Sequence, residues 1–283
     1  MKLASFQAQG KDRFGFVAEG GLIDLSGRLA GRCADLAELL AKELVADAAR
    51  LVQGVKPDFR FNEVEWLPLN PRRDARMFAL GVAYKDHQLE TGRADASLPS
   101  MFSKHPQSLV GHDQNIVRPQ ASSMYDYEGE VVLVIGKAGR HIPEAQALEH
   151  VAGYSILVDG SLRDYQKHSV TAGKNFDASS SYGPCMVTRD EIADWRKMTL
   201  TTRLNGQQVQ HSAFGMLMWS VEFIVHYIST FTHLQPGDAI STGTPAGVGH
   251  RRNPQLFMKA GDVLEVEVSG VGTLRNTVVD EVL

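Results

Sequence analysis

Tyr125-Asp126-Tyr127-Glu128-Gly129-Glu130-Val131-Val132-Leu133-Val134-Ile135-Gly136 is followed, after a polar interval, by Gly153-Tyr154-Ser155-Ile156-Leu157-Val158-Asp159. Both apolar segments are short, rich in β-branched residues and bounded by turn formers, which predicts two strands. The first is apolar on both faces, as a buried strand is. Side chains alternate along a strand, so Glu128 and Glu130 point to one face, which Val132 and Val134 continue. An arbitrary Glu-x-Glu pair sits on a wet sheet face, and an aspartate after a strand commonly caps a turn. Here the carboxylates enter an apolar face. An unpaired buried charge there costs several kcal/mol, and two neighbouring carboxylates raise one pKa. A divalent cation removes both costs. If Asp159 converges from the end of the second strand, the site has three carboxylates and neither cysteine nor paired histidine. Such hard oxygen donors select Mg²⁺ or Mn²⁺, with Ca²⁺ able to substitute in vitro and Zn²⁺ less suited.

The chain has 283 residues, of which 43% are hydrophobic, and a formal net charge of −4. That composition is ordinary for a globular protein and allows one large domain, or a large and a small one. The mild acidity and the lack of a basic stripe with interleaved aromatics argue against nucleic acid. Met1-Lys2-Leu3-Ala4-Ser5-Phe6 lacks the apolar core of a signal peptide, and no apolar run reaches membrane-spanning length. Cys33 and Cys185 have no metal or redox spacing and read as two free thiols in a reducing, cytoplasmic setting.

Outward from the carboxylate strands, residues 1–72 read as a small N-terminal domain and 73–283 as the domain that carries the chemistry. Phe14 to Leu25 predicts a hairpin turning at Glu19-Gly20-Gly21, Leu36 to Leu51 a helix, and Pro57 and Pro68 to Pro71 a linker. No catalytic constellation appears before residue 73. Met77 to Tyr84 predicts a strand leading into His87-Gln88-Leu89-Glu90. On a helical turn His87 and Glu90 are neighbours, and a carboxylate beside an imidazole orients the ring and stabilises its protonated form, as a general base requires. Most such pairs are inconsequential surface contacts. Thr91 to Ser100 reads as a mobile lid. Lys104 is either a ligand for substrate charge or a surface lysine, and Arg163 holds either a substrate carboxylate or an internal one. Lys174 lies on a loop, where it is either solvated or set against a metal-bound anion.

Thr199–Leu204, Asn205-Gly206 and Gln207–Gln210 predict a hairpin, and Val221, Ile224, Val225, Ile228 and Phe231 a core-facing helix. Thr242-Gly243-Thr244-Pro245-Ala246-Gly247-Val248-Gly249 fits neither a Walker loop nor a dinucleotide fingerprint. Its N–H groups and threonine hydroxyls can still face a carboxylate or oxyanion, or simply turn between strands. Many strands, few helices and no βα repeat predict a β-rich α+β fold.

Four segments together resemble the fumarylacetoacetate hydrolase family, in particular its acylpyruvate-hydrolase-like branch. They are Tyr125 to Gly136, Val151 to Gln166, Gly173 to Asp177 and Pro236 to Gly249, with Gly270 to Asn276 near the end. The resemblance runs from about Phe78 to Leu283. It implies a mixed β-sandwich roll with a small N-terminal α/β domain, a homodimer, and Mg²⁺ or Mn²⁺ on Glu128, Glu130 and Asp159. By the same resemblance His87 and Glu90 match a water-activating dyad on the lid and Lys174 the active-site lysine. Lys104, Arg163, Gln166 and Thr244 match positions that hold the 2-oxo acid end of a small substrate. The implied activity is hydrolysis of a C–C bond in a 1,3-diketo acid, an acylpyruvate or a fumarylpyruvate-like ring-cleavage product of aromatic catabolism. The alternatives on the same metal site are an oxaloacetate decarboxylase and a 2-oxo acid isomerase or hydratase. A non-enzymatic alternative is a metal-stabilised dimer that binds small acids. One departure stands out: Ser212-Ala213-Phe214-Gly215-Met216-Leu217-Met218-Trp219 replaces the family's more polar pattern and predicts a more apolar pocket wall. A serine hydrolase is disfavoured, since no Gly-x-Ser-x-Gly elbow is present.

Overall fold

The computed structural model describes residues 1–92 and 97–282. Residues 93–96, part of the expected lid, lie outside the described residues.

Gly129–Ile135 is a strand with every residue buried, and it pairs antiparallel with Val151–Val158. These two central strands explain the double-sided apolar pattern, because each face carries a separate packed layer. Val131, Leu133, Ile135, Ile156 and Val158 face one core with Leu200, Leu264, Val266, Leu274 and Val278. Val132, Val134 and Leu157 face another with Leu3, Phe14, Ile23, Leu36 and Leu39.

Among the described residues the larger sheet has twelve strands. Its main path runs Phe59–Arg60, Gly21–Asp24, Lys11–Ala18, Lys2–Ala8, Ser180–Thr188, Val151–Val158, Gly129–Ile135, Ala239–Ser241, Met77–Gly81, Ser100–Lys104. Residues 1–72 and 73–283 thus contribute to one sheet, joined where Lys2 and Leu3 pair with Val187 and Met186. A five-stranded sheet, in the order Gln207–Ala213, Thr199–Leu204, Val263–Val268, Gly272–Asp280, Asn115–Arg118, lies across the first core. Parallel pairs, such as Ala239–Ser241 with Met77–Gly81, occur beside antiparallel ones. The result is a mixed α+β sandwich roll with few helices. No helix among the described residues is long and apolar enough to cross a membrane.

The Asn205-Gly206 hairpin forms as its sequence requires, with φ of 52° and 78° at the two turn residues. Val221–Phe231 is a helix capped by Ser220, whose side chain accepts from the Phe223 N–H, and Val221, Ile224, Val225 and Ile228 of its stripe are buried, while Phe231 at its end is exposed rather than core-facing. Two further expectations need correction. The helix predicted across Leu36 to Leu51 is two, Leu36–Ala41 and Val45–Val52, broken where Glu43 takes a left-handed φ of 53°. The strand expected over Met77 to Tyr84 ends at Gly81, because Val82 turns to a φ of 53°. That conformation is strained for a β-branched residue, and it redirects the chain into the Lys85–Thr91 helix.

Gly160, just after Asp159, permits a close crossing. A Cβ there would lie 1.8 Å from the Ser179 carbonyl oxygen, which belongs to the backbone and cannot swing aside. Gly160→Ala is expected to destabilise the protein by about 1–3 kcal/mol, read as a lowered denaturant midpoint at unchanged slope.

Candidate functional site: a buried carboxylate cluster under a cationic cavity

Glu130 lies within its strand, while Glu128 precedes it in the break after the Tyr125–Asp126 strand. Asp159 follows Val158, and its N–H donates to the Glu128 carbonyl at 2.8 Å. That bond brings the end of one strand beside the start of the other. One carboxylate oxygen from each of Glu128, Glu130 and Asp159 lies within 4.8 Å of the others, and all three residues are buried.

The surroundings supply positive charge unevenly. The Lys174 ammonium donates to Glu128 Oε2 and, at 2.6 Å, to Asp159 Oδ2. Arg163 donates through Nε to Asp126 Oδ2 at 2.8 Å and sets Nη1 2.7 Å from Glu128 Oε1. Among the described residues Glu130 receives only neutral donors, the Ser241 hydroxyl and, at 3.0 Å, the Gly243 N–H. The two glutamates split accordingly. Burial opposes the charge on both, but Lys174 and Arg163 prevail at Glu128 and lower its pKa. At Glu130, burial and then the Asp159 and Glu128 charges push the carboxyl up to about 8. Burial also works against charge on Lys174, yet Asp159 and Glu128 raise its pKa, whereas at Lys104 burial wins and lowers it.

These residues suit a divalent cation. Three buried carboxylates repel one another, and one of them, Glu130, has no ion pair among the described residues. Asp159 Oδ1 lies 2.9 Å from Lys104 Nζ, but without hydrogen-bond alignment, so it has no directed donor. All-oxygen donors of this kind favour Mg²⁺ or Mn²⁺.

Above the cluster is a cavity of about 290 Å³ whose wall includes His87, Glu128, Arg163, Gln166, Lys174 and Thr244. His87 and Glu90 fall on the Lys85–Thr91 helix, with His87 Nδ1 2.8 Å from Glu90 Oε2. Glu90 Oε1 accepts from the Gly247 N–H at 2.9 Å, which ties this helix to the glycine-rich loop. Burial opposes the Glu90 charge, but the bonds from His87 and Gly247 hold its carboxyl below the usual range. Thr244 donates to the Gly129 carbonyl at 2.9 Å and accepts from Gln210 Nε2 at 2.8 Å.

Both side chains whose place the sequence leaves open lie inside the protein. Lys104 is no surface residue: it is 2% exposed, bonds to Ser180 Oγ at 2.8 Å and to the Lys174 carbonyl, and is not among the residues described on the cavity wall. Arg163 makes internal ion pairs, yet among the described residues its buried Nη2 has no hydrogen-bond partner, on a side chain that also lines the cavity. The Ser212 to Trp219 segment is absent from the described cavity wall. Phe214 is buried in the core, and the Met218 N–H donates to the Ala83 carbonyl at 2.8 Å, so the segment braces the approach to the His87 helix.

Sequence reasoning missed Asp126, although its alternation with Glu128 and Glu130 was a signal. Fully buried, it accepts from Arg163 and from the N–H groups of Tyr127, Gly249 and His250. Lys167, His250 and Arg251, also on the wall, lie in no motif that marks them.

The family model for the fumarylacetoacetate (FAA) hydrolase C-terminal region matches residues 76–279. The chain belongs to the fumarylacetoacetate hydrolase family. It is 38% identical over 208 residues to the mitochondrial oxaloacetate tautomerase of Xenopus laevis, a match covering 72% of this chain and 65% of that protein. The chain therefore spans just under two thirds of that relative's length. With the mitochondrial oxaloacetate tautomerase of Homo sapiens it shares 36% identity over 236 residues, covering 82% of this chain and 75% of that one. The solved fumarylacetoacetate hydrolase of the psychrophile Exiguobacterium antarcticum is similar along 99% of this chain and 100% of its own, with a TM-score of 0.83 and 32% identity.

Proposed function

We propose that the chain is a metal-dependent enzyme of small 2-oxo acids and that it interconverts the keto and enol forms of oxaloacetate. The observation that carries this reading is one cavity joining Glu128 of the carboxylate cluster, His87 of the dyad and the unpartnered Nη2 of Arg163. The relatives named as oxaloacetate tautomerases support the choice of substrate. In this reading Glu128, Glu130 and Asp159 hold Mg²⁺ or Mn²⁺, which when bound supplies Lewis-acid polarisation to the carboxylate and keto oxygens of the acid.

The chain's own residues do the rest. Glu90 holds the His87 ring through Nδ1, leaving Nε2 as the working nitrogen. His87 takes a proton from the carbon beside the keto group and returns one to the keto oxygen, so no atom is gained or lost. Arg163 Nη2 holds the substrate carboxylate with Gln166 and Thr244 beside it, and Lys174 offsets the negative charge that develops. Lys104 acts through Asp159, which it holds in place. Residues 1–72 serve as a supporting domain to the catalytic 73–283, and the protein works as a homodimer.

A second reading, hydrolysis of a C–C bond in an acylpyruvate, is favoured by the dyad, since a carboxylate-backed histidine also activates water. Protein stripped with EDTA and reloaded with Mg²⁺ separates the two. Metal-dependent decay of the oxaloacetate enol absorbance without pyruvate release is the expected result. Cleavage of acetylpyruvate instead selects the hydrolase, and pyruvate released from oxaloacetate selects a decarboxylase. No metal-dependent change with any of these acids refutes the reading.

A further inference from the structure

The cavity has a second cationic zone that no step above uses. Lys167 and Arg251 are exposed and His250 is half-buried, and all three lie on the cavity wall with Arg163 and Gln166. Lys167 ends the short Tyr165–Lys167 turn, and His250 and Arg251 belong to the Gly249–Arg251 turn. Among the described residues neither Lys167 nor Arg251 has a carboxylate within ion-pair distance. The one hydrogen bond of the Arg251 guanidinium there is a 3.4 Å approach to the Thr91 carbonyl, at the end of the helix that carries His87. The groups lie close enough to sense one another: burial, then Arg163 and Arg251, with Lys167 behind them, hold the His250 imidazole below its usual range against the pull of Asp126.

This zone is built into the fold. Asp126 accepts from the Gly249 and His250 N–H groups at 2.8 and 2.9 Å and pairs with Arg163, so one buried carboxylate fixes both the cavity floor and the Gly249–Arg251 turn. Gly249 is needed there, because a Cβ would meet the Leu256 carbonyl oxygen at 1.8 Å. Arg252 anchors the next residue to Tyr127 Oη at 2.9 Å and to the Gly247 carbonyl at 3.1 Å.

We infer that Lys167 and Arg251 bind a second anionic group on the substrate, so that the cavity selects dianionic 2-oxo acids over monoanionic ones. The inference rests on the proposed binding of a 2-oxo acid in this cavity and adds which acids it prefers. The floor already provides for one carboxylate at Arg163 Nη2. Lys167 and Arg251, on the same wall and with no ion pair among the described residues, leave positive charge that only the more distant Glu90 carboxylate senses at Arg251, and a second substrate carboxylate neutralises it. At about 290 Å³ the cavity suits a short-chain acid. Simple acylpyruvates carry one carboxylate and leave this charge unanswered. Oxaloacetate and diacids of fumarylpyruvate type satisfy it.

Calorimetric titration of the Mg²⁺-loaded protein with pyruvate and with 3,3-difluoro-oxaloacetate, which has no proton to lose beside its keto group, tests this without enolisation, and a pyruvate-type product assay run alongside checks that the dianion is not decarboxylated. The dianion is expected to bind the wild type roughly 10- to 100-fold more tightly than pyruvate. In the Lys167→Gln, Arg251→Gln double variant the ratio of the two dissociation constants is expected to fall toward one. Both side chains are exposed, so the fold should be unaffected. If pyruvate binds but the dianion has no advantage, or if the double variant keeps the wild-type ratio, the second anionic site is wrong while the 2-oxo acid reading stands. If neither acid binds the wild type, both fall together.

Discussion

Glu130→Gln is expected to abolish metal-dependent turnover, with a loss of roughly 10³-fold or more, the scale of removing Lewis-acid support worth several kcal/mol. The position separates metal binding from folding. The Glu130 side chain accepts from the Ser241 hydroxyl and the Gly243 N–H, and a glutamine carbonyl oxygen can accept from both. What the substitution removes is the ability to ionise and offer a negative charge to a cation, at a carboxyl that burial and then the Asp159 and Glu128 charges push up to about 8 and so hold neutral without metal. Without metal the variant should therefore melt at or above the wild-type temperature. With Mg²⁺ or Mn²⁺ the wild type gains stability by mass action, and the variant should not. Thermal melts of stripped and reloaded protein, run beside the activity assay, check all of this. Near-normal turnover in the variant would exclude the cluster as the metal site.

Replacing His87 with alanine should have the next largest effect, a fall in turnover of about 10²- to 10⁴-fold, the usual worth of a positioned base. Metal binding should persist, since none of the three clustered carboxylates is touched. Glu90→Gln should cost less, about 10- to 100-fold, because it loosens the ring's orientation and leaves the base in place. Added imidazole should restore part of the activity to the alanine variant and none to the glutamine one. Steady-state rates with and without imidazole, alongside Mn²⁺ binding to each variant, give the test. A His87→Ala variant with wild-type turnover would remove the dyad from the mechanism.

Much of this centre was legible in the sequence because its constraints are local. A glutamate pair entering a run such as Val131 to Ile135 announces a buried charge, and a histidine three residues before a glutamate needs only one helical turn to meet it. The Asn205-Gly206 hairpin and the Ser220-capped helix carry their own signals. What stayed hidden depends on groups far apart in the chain. Lys104 reaches Ser180 and Asp159 only because the Ser100–Lys104 strand and the Ser180–Thr188 strand take their places in the larger sheet. Lys167 and Arg251 come to the wall of one cavity from distant turns, the second held there by Asp126 through the Gly249 and His250 N–H groups, and no short motif records that. The break at Glu43 and the turn at Val82 show the other limit. Local preference would continue the helix and the strand, and tertiary packing stops both. The Ser212 to Trp219 segment misled for a related reason, since resemblance placed it on the pocket wall while packing set Phe214 in the core.

The most direct test of the account is a count of Mn²⁺ bound per chain by EDTA-stripped protein, followed by electron paramagnetic resonance as the metal is titrated. One Mn²⁺ per chain, lost in Glu130→Gln and kept in His87→Ala, is the result that the buried cluster of Glu128, Glu130 and Asp159 requires. No bound Mn²⁺ in the wild type, or equal binding in Glu130→Gln, would contradict it.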